Sequence, residues 1–297
     1  MKVFVTGATG FVGSAVVKEL INAGHQVLGL ARNEAAEKAL LLAGAEVHKG
    51  DLEDLESLRR GANAADGIIH TGFIHDFSRF KAVCEIDRVA IAAIGNEITG
   101  TDKPFIVTSG TLIVSPGQLA TEDKMPDYNG QNPRIATEKA VDDLAAKNVR
   151  ISVVRLSPSV HGEGDVHGFI PMLIDIARQK GSSAYIEDGA NQWTAVHRLD
   201  AAVLFRLALE QARPGARFHG VAEESINFKS IAEAIGKQLN LPVVSKSNDE
   251  VAAHFGWFEH FANIDGPASG KLTRQRLHWE PQYSGLIQDL EQGIYFT

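Results

Sequence analysis

Only one cysteine, Cys84, occurs in the 297 residues. That excludes a disulfide framework and any zinc or iron–sulfur site built on cysteines, and a reducing cytoplasm is the expected compartment. Long apolar runs are also missing: none approaches the roughly 20 residues that span a bilayer. The opening MKVFVTGATGFVG lacks the charged n-region, apolar h-region and small-residue cleavage site of a secretory leader, and Gly7, Gly10 and Gly13 interrupt it. Positive charge is in deficit, with 29 Lys and Arg against 37 Asp and Glu for a net −8, and the basic residues are scattered. Binding a phosphate backbone needs them clustered. Neither nucleic acid nor a membrane is therefore expected as a partner.

What the chain does have is 44% apolar residues, enough for a sizeable core at a length near the limit for a single one. Short β-branched runs at 2–6, 25–30, 45–50, 66–72, 105–110 and 149–156 alternate with segments of helical period. One of these, 79–98, carries Phe80, Val83, Ile86, Ala90, Ile94 and Ile98 on a broad face, and another helix is expected near 133–147. The alternation predicts an α/β fold, a Rossmann-type doubly wound parallel sheet with helices on both faces. After about residue 156 the rhythm changes to shorter elements, with helices near 168–180, 199–211 and 228–239.

Thr6-Gly7-Ala8-Thr9-Gly10-Phe11-Val12-Gly13 follows the first predicted strand and opens the first predicted helix. In that context Gly7 permits a tight turn, Gly10 lets the backbone approach a pyrophosphate, and Gly13 allows close packing of helix on strand. The helix N-terminus offers N–H groups and a positive dipole end to the phosphates. A dinucleotide-binding domain is thus expected over 1–160, with 161–297 a smaller, mainly substrate-binding region, some of whose segments return to the first domain. At the end of the second strand, Leu30-Ala31-Arg32-Asn33 lacks the acid that would accept from the ribose 2′-hydroxyl of NAD. Arg32 suits a 2′-phosphate, which favours NADP(H), with NAD(H) the alternative. Asp51, after the third strand, suits either the adenine amino group or the N-cap of the helix that follows.

With TGATGFVG, GDL at 50–52, IIHTGF at 68–73, VTSGT at 107–111 and VVRLSPSVHG at 153–162, the chain resembles the extended and atypical short-chain dehydrogenase/reductase superfamily. VHRLDAA at 196–202 and the C-terminal LHWEPQYSGLIQDLEQG look like landmarks of its NAD-dependent epimerase/dehydratase branch. The likeness runs over nearly the whole chain. It implies a cofactor cradle that takes in Thr9, Phe11, Val12, Leu52, Thr71, Gly72, Phe73, Thr108 and Leu156, and a homodimer through the helices near 79–98 and 133–147.

The family's catalytic group is Asn, Ser, Tyr and Lys, and here the Tyr-x-x-x-Lys pair is absent. None of the four tyrosines has a lysine four residues on. With Glu138 aligned on a glutamate that often follows the lysine, Arg134 takes the lysine position and Gly130 the tyrosine position. Arg134 then suits ribose hydroxyls and a positive field near the nicotinamide. Gly110 replaces a serine, leaving Ser109 and Thr111 as neighbouring hydroxyls, with Thr111 the first choice to polarise a carbonyl. Asp87 stands where the family has asparagine; the alternatives are a proton relay with a pKa raised by burial and a structural pair with Arg88, Arg134 or the backbone. His75 lies on the loop after the fourth strand and is the candidate acid, with Tyr128 as another.

No metal is expected. His161 and His167, with Glu163 and Asp165 between them, lack the spacing of a zinc site, and His254 and His260 sit in an aromatic stretch. Phe73, Phe77, Phe169, Trp193, Phe255, Trp257 and Phe258 are candidates for an apolar pocket. The expected function is NAD(P)H-dependent reduction of a small aldehyde or ketone. The alternatives are a non-catalytic NADP(H)-sensing protein and a nucleotide-sugar epimerase or dehydratase.

Overall fold

A computed structural model describes residues 1–296. The first half alternates strand and helix: β1 (Lys2–Thr6), α1 (Phe11–Asn22), β2 (Gln26–Ala31), α2 (Glu34–Leu42), β3 (Glu46–Lys49), α3 (Leu55–Asn63), β4 (Gly67–His70), α4 (Phe80–Glu97), β5 (Phe105–Gly110), α5 (Ile135–Ala145) and β6 (Ile151–Leu156). Polar caps start several helices. Asn33 accepts from Ala36 N at α2, and Asp54 accepts from Ser57 N at α3. The second half holds β7 (Ser159–His161), α6 (Phe169–Lys180), β8 (Ser183–Ile186), β9 (Gln192–His197), α7 (Arg198–Gln211), β10 (Arg217–Gly220), β11 (Glu223–Asn227), α8 (Phe228–Leu239), β12 (Val243–Lys246), α9 (Val251–Phe255), α10 (Glu259–Ala262), α11 (Lys271–Leu277) and α12 (Leu286–Glu291). Among the described residues, no helix is long and apolar enough to cross a membrane.

Seven strands form one sheet in the order β10-β6-β5-β4-β1-β2-β3, every neighbouring pair parallel. Parallel pairing requires crossover helices, which bury both faces. Val3 and Val5 of β1 therefore pack with Val16, Leu20, Phe205 and Leu209 in the layer of α1 and α7. Phe4, between them, packs with Leu58, Ile91, Ile94 and Leu144 in the layer of α3, α4 and α5. The chain returns from β3 at one edge to β4 on the far side of β1, so the strand order reverses between β1 and β4. Ligands of such sheets bind outside the carboxyl ends of the strands at that point.

The second half divides its residues. α7 and β10 join the first layer, with Phe218 opposite Val154. The remainder builds a three-stranded sheet, β11-β9-β7, and a two-stranded one, β12-β8, around Trp193, Phe228, Phe255, Phe258, Leu286 and Leu290.

A buried ionic cluster holds α5 to the sheet. Arg155 of β6 donates twice to the Glu138 carboxylate, at 2.7 and 2.8 Å, and Arg217 of β10 donates to it at 3.0 Å. Burial alone would raise the Glu138 pKa, but the two guanidinium groups hold it below the usual carboxylate value. Arg155 also donates to the Lys124 carbonyl and to His219. Burial and the Arg155 charge push His219 down to about 3, so its ring is a neutral acceptor there. Removing one partner of such a cluster strands the others without countercharge. Glu138→Gln should cost ~3–5 kcal/mol of unfolding free energy in urea denaturation; a loss of less than about 1 kcal/mol would mean that water screens these charges.

Candidate cofactor and active site

Where β1 and β4 end, their loops meet closely enough to admit only glycine. Gly7 has φ +64°, and a Cβ on it would lie 2.6 Å from Gly72 N. A Cβ on Gly13 would lie 2.0 Å from the Gly7 carbonyl oxygen and 2.9 Å from Thr71 Oγ1. Gly10, by contrast, would meet only the Gly7 oxygen at 3.2 Å, and it and Thr9 are exposed. Thr71 is spent on this turn, donating to the Thr6 carbonyl at 2.8 Å. The loop is thus tight beneath and open above, at the start of α1, where Phe11, Val12 and Gly13 turn the first helical N–H groups outward. These residues fit the diphosphate of a dinucleotide.

At the end of β2, Arg32 is exposed, and no carboxylate follows that strand before Glu34. Asp51 does not cap α3. Its carboxylate accepts from Glu53 N and Asp54 N in the turn before the helix, and Asp54 is the cap, because the helix begins later than the sequence suggests. Leu52 lines the same edge, 3.0 Å from where a Cβ on Gly72 would stand.

Beside the cradle lies a second polar assembly. Asp87 of α4, 1% exposed, accepts from His70 Nε2 at 3.1 Å, from Arg134 at 2.8 Å and from Thr137 Oγ1 at 2.6 Å. Since a carboxylate only accepts, His70 Nε2 carries a proton, and Nδ1 is hydrogen-bonded to the Thr6 hydroxyl at 2.8 Å. Thr6 Oγ1 accepts in turn from Gly72 N. Arg134 reaches the Thr108 carbonyl at 3.0 Å and lies 4.1 Å over the Phe73 ring, while the Thr108 hydroxyl donates to the His70 carbonyl. Of the two alternatives for Asp87, the structure has the pair with Arg134 rather than a relay with a raised pKa. Burial raises its pKa, but Arg134, His70 and Thr137 outweigh that and hold it below the usual value, so it is a charged anchor. Arg88 takes no part, pairing with Glu85. Cys84, on the same helix, is buried, and burial pushes its thiol up to about 11, which removes it as a nucleophile.

Two hydroxyls remain. Ser109 and Thr111 are 4% and 2% exposed, and neither oxygen has a hydrogen-bond partner among the described residues. Both stand at the carboxyl end of β5, whose neighbour β6 ends at Leu156. An unpartnered buried hydroxyl carries a desolvation cost that a ligand can relieve.

The other proton donors fare differently. His75 is exposed at the loop surface, edge-on to Phe73. Crowding by that loop and the Arg134 charge lower its pKa, so at neutral pH the ring is a poor acid, against the expectation of an ordinary imidazole. Tyr128 is committed to Asp142, and burial with that carboxylate raises its pKa further. Gly130 lies in a turn closed by Asp127, outside α5, which starts only at Ile135. The position aligned with the family's tyrosine therefore precedes the helix, which starts close to the expected residue 133.

The aromatic residues separate into two groups. Trp193, Phe255 and Phe258 are buried in the second core. Phe77 stacks on Trp257 at 5.3 Å and packs against Phe169, and Trp257 is 57% exposed, so these border the loop after β4. His161 is bound to Asp289 at 2.6 Å, and Asp165 accepts from Gly168 N. Among the described residues, no group of three or more His, Cys, Asp or Glu is placed to hold a metal ion.

The family model described as "NAD dependent epimerase/dehydratase family" matches residues 3–221, and the chain belongs to that family. An uncharacterized protein of Schizosaccharomyces pombe is 48% identical over 298 residues, covering all of both chains. A 2-alkyl-3-oxoalkanoate reductase of Stenotrophomonas maltophilia is 30% identical over 75% of this chain and 69% of its own. Among solved structures, a nucleoside-diphosphate-sugar epimerase from Pseudomonas aeruginosa has a TM-score of 0.79 at 18% identity, over 100% of this chain and 99% of that one. At that identity the likeness concerns the fold.

His70, Thr6 and Thr137, which join Asp87 in this assembly, are not site residues on the sequence alone. The available signal was a histidine closing an otherwise apolar strand. Asp87 contributes its stabilisation above the unfolded carboxyl's pKa of about 3.9 and loses it as pH falls through the lower folded value. Asp87→Asn should therefore melt below the parent at pH 7, by ~3 kcal/mol or more, with the gap narrowing below about pH 4. Melting curves between pH 2 and 7 check this, and a gap independent of pH would contradict it.

Proposed function

We propose that the protein reduces a small aldehyde or ketone, with NADP(H) as the cofactor. The observation that carries this reading is the pair of buried hydroxyls, Ser109 and Thr111, without a partner among the described residues, at the carboxyl end of the strand whose Thr108 carbonyl Arg134 holds. When bound in the glycine cradle, a nicotinamide cofactor supplies the hydride. Thr111 and Ser109 then donate to the substrate oxygen as negative charge gathers on it, a contact that also relieves their own desolvation. Arg134, fixed by Asp87 and the Thr108 carbonyl, orients ribose hydroxyls and adds a positive field. A water that enters with the substrate gives up the proton that completes the alcohol and leaves as hydroxide neutralised by solvent. His75 and the rings of Phe73, Phe77 and Trp257 border the entrance.

The Stenotrophomonas relative, whose name describes reduction of a 3-oxo compound, supports this direction of chemistry. Epimerase and dehydratase chemistry in the family leans on the tyrosine that is missing here. NADP(H) is favoured because Arg32 is exposed at the end of β2 and no carboxylate stands there to meet a free 2′-hydroxyl.

NADPH oxidation with a panel of aldehydes and ketones tests the reading. Thr111→Val should lower kcat by about 10²-fold or more, while NADPH affinity holds and the ligand-free melting temperature does not fall. Tight NADPH binding with no turnover of any carbonyl would leave a cofactor-sensing protein instead. For Arg32→Asp, calorimetric titration should show the preference moving from NADPH towards NADH; unchanged relative affinities would place 2′-phosphate recognition elsewhere.

A further inference from the structure

α7 opens on Arg198, a residue the glycine-loop fingerprint does not include. Its guanidinium carbon lies 4.7 Å over the ring of Phe11, the first residue of α1. One terminal nitrogen donates to the Glu163 carbonyl at 2.8 Å, and the other is 3.4 Å from Ser14 Oγ. Nε is buried and has no partner among the described residues. Glu163 and Asp165 are the acids whose charges reach it, and among the described residues neither comes within the 4.0 Å of an ion pair. A second glycine turn is moulded to this side chain. Gly162 and Gly164 have φ +130° and +84°, and a Cβ on either would come within 3.3 Å of Arg198 atoms.

A half-buried guanidinium keeps its charge, and desolvating it without a counterion is costly. Here it stands beside the open N-terminal end of α1, where the N–H groups of the glycine cradle await phosphates. An anion seated on the glycine loop would supply a countercharge there. We infer that Arg198 binds the diphosphate of the dinucleotide, so that the second half of the chain takes part in holding the cofactor. This rests on the cofactor assignment above and adds a contact to it. The planar fork suits phosphate oxygens, and the Phe11 ring and the Gly162–Gly164 turn fix its plane.

The test is calorimetric titration of the parent, Arg198→Met and Arg198→Lys with NADPH, ADP-ribose and adenosine 2′-monophosphate, with melting temperatures of the ligand-free proteins. Arg198→Met should weaken NADPH and ADP-ribose on the order of 10- to 100-fold and Arg198→Lys less. Adenosine 2′-monophosphate, which has no diphosphate, should bind as before, and the ligand-free melting temperatures should agree closely. Equal ADP-ribose affinity in parent and Arg198→Met overturns the inference. So does a loss shared by adenosine 2′-monophosphate, or one matched by a fall in ligand-free melting temperature, since both mark a structural role. If the parent binds neither NADPH, NADH nor ADP-ribose, the cofactor assignment falls and the role of Arg198 with it; if it binds them and Arg198→Met binds equally well, only the latter falls.

Discussion

A buried charge must be satisfied where it stands, and Asp87 is satisfied from three directions at once. Its donors come from the end of β4, from the residue before α5 and from the first turn of α5. Two of those donors carry the connection further, His70 to Thr6 at the end of β1 and Arg134 to the Thr108 carbonyl of β5. One carboxylate on α4 therefore sets the positions of three strand ends and a neighbouring helix. In a low-dielectric setting such a network is strong when complete and costly when any member is missing. The geometry of the sheet's carboxyl edge, where the cofactor cradle sits, follows from that completeness.

The same physics governs how α5 meets the sheet. Its inner face presents Thr137 to Asp87, Glu138 to Arg155 and Arg217, and Asp142 to Arg217. Ala140, Val141 and Leu144 fill the spaces between. Helices usually dock through apolar stripes; here directional charge pairs supplement the stripe and fix the rotation of the helix. With Arg134 and Asp87 bound to each other, the hydroxyls of Ser109 and Thr111 are among the buried polar groups that have no partner among the described residues. The pairing that organises the site also narrows what the site has to offer a substrate.

Much of this was visible in the sequence. Strand and helix positions follow from apolar periodicity, and the roles of Gly7, Gly10 and Gly13 follow from their place between β1 and α1, since local backbone geometry is a local property of sequence. At Asp87 the sequence leaves a relay and a structural pair as alternatives, and the structure has the pair; sequence does not choose between them, because the sign of the carboxyl's shift depends on Arg134 and Thr137, 47 and 50 residues away. Gly130, which the resemblance puts at the tyrosine position, lies in a turn closed by Asp127 before α5, the helix expected near 133–147. For the side chains that complete the assembly, the sequence offers only a histidine closing an apolar strand and a threonine opening the glycine motif, with nothing that joins the two. Their meaning comes from being brought together by parallel strands distant in the chain.

The edge strand β10 has a consequence for how the protein is made. It pairs with β6, yet residues 157–216 lie between them, including β7 to β9 and α7. During synthesis from the N-terminus, β6 therefore emerges as a bare parallel edge, with its N–H and C=O groups open to any passing strand. It stays so until Arg217–Gly220 has left the ribosome and the long crossover has closed. Arg155 waits over the same interval for Arg217 to join it on Glu138. Long-range parallel pairing of this kind is slow and exposes the chain to misassembly, so the nascent protein has a vulnerable period that the finished fold gives no sign of.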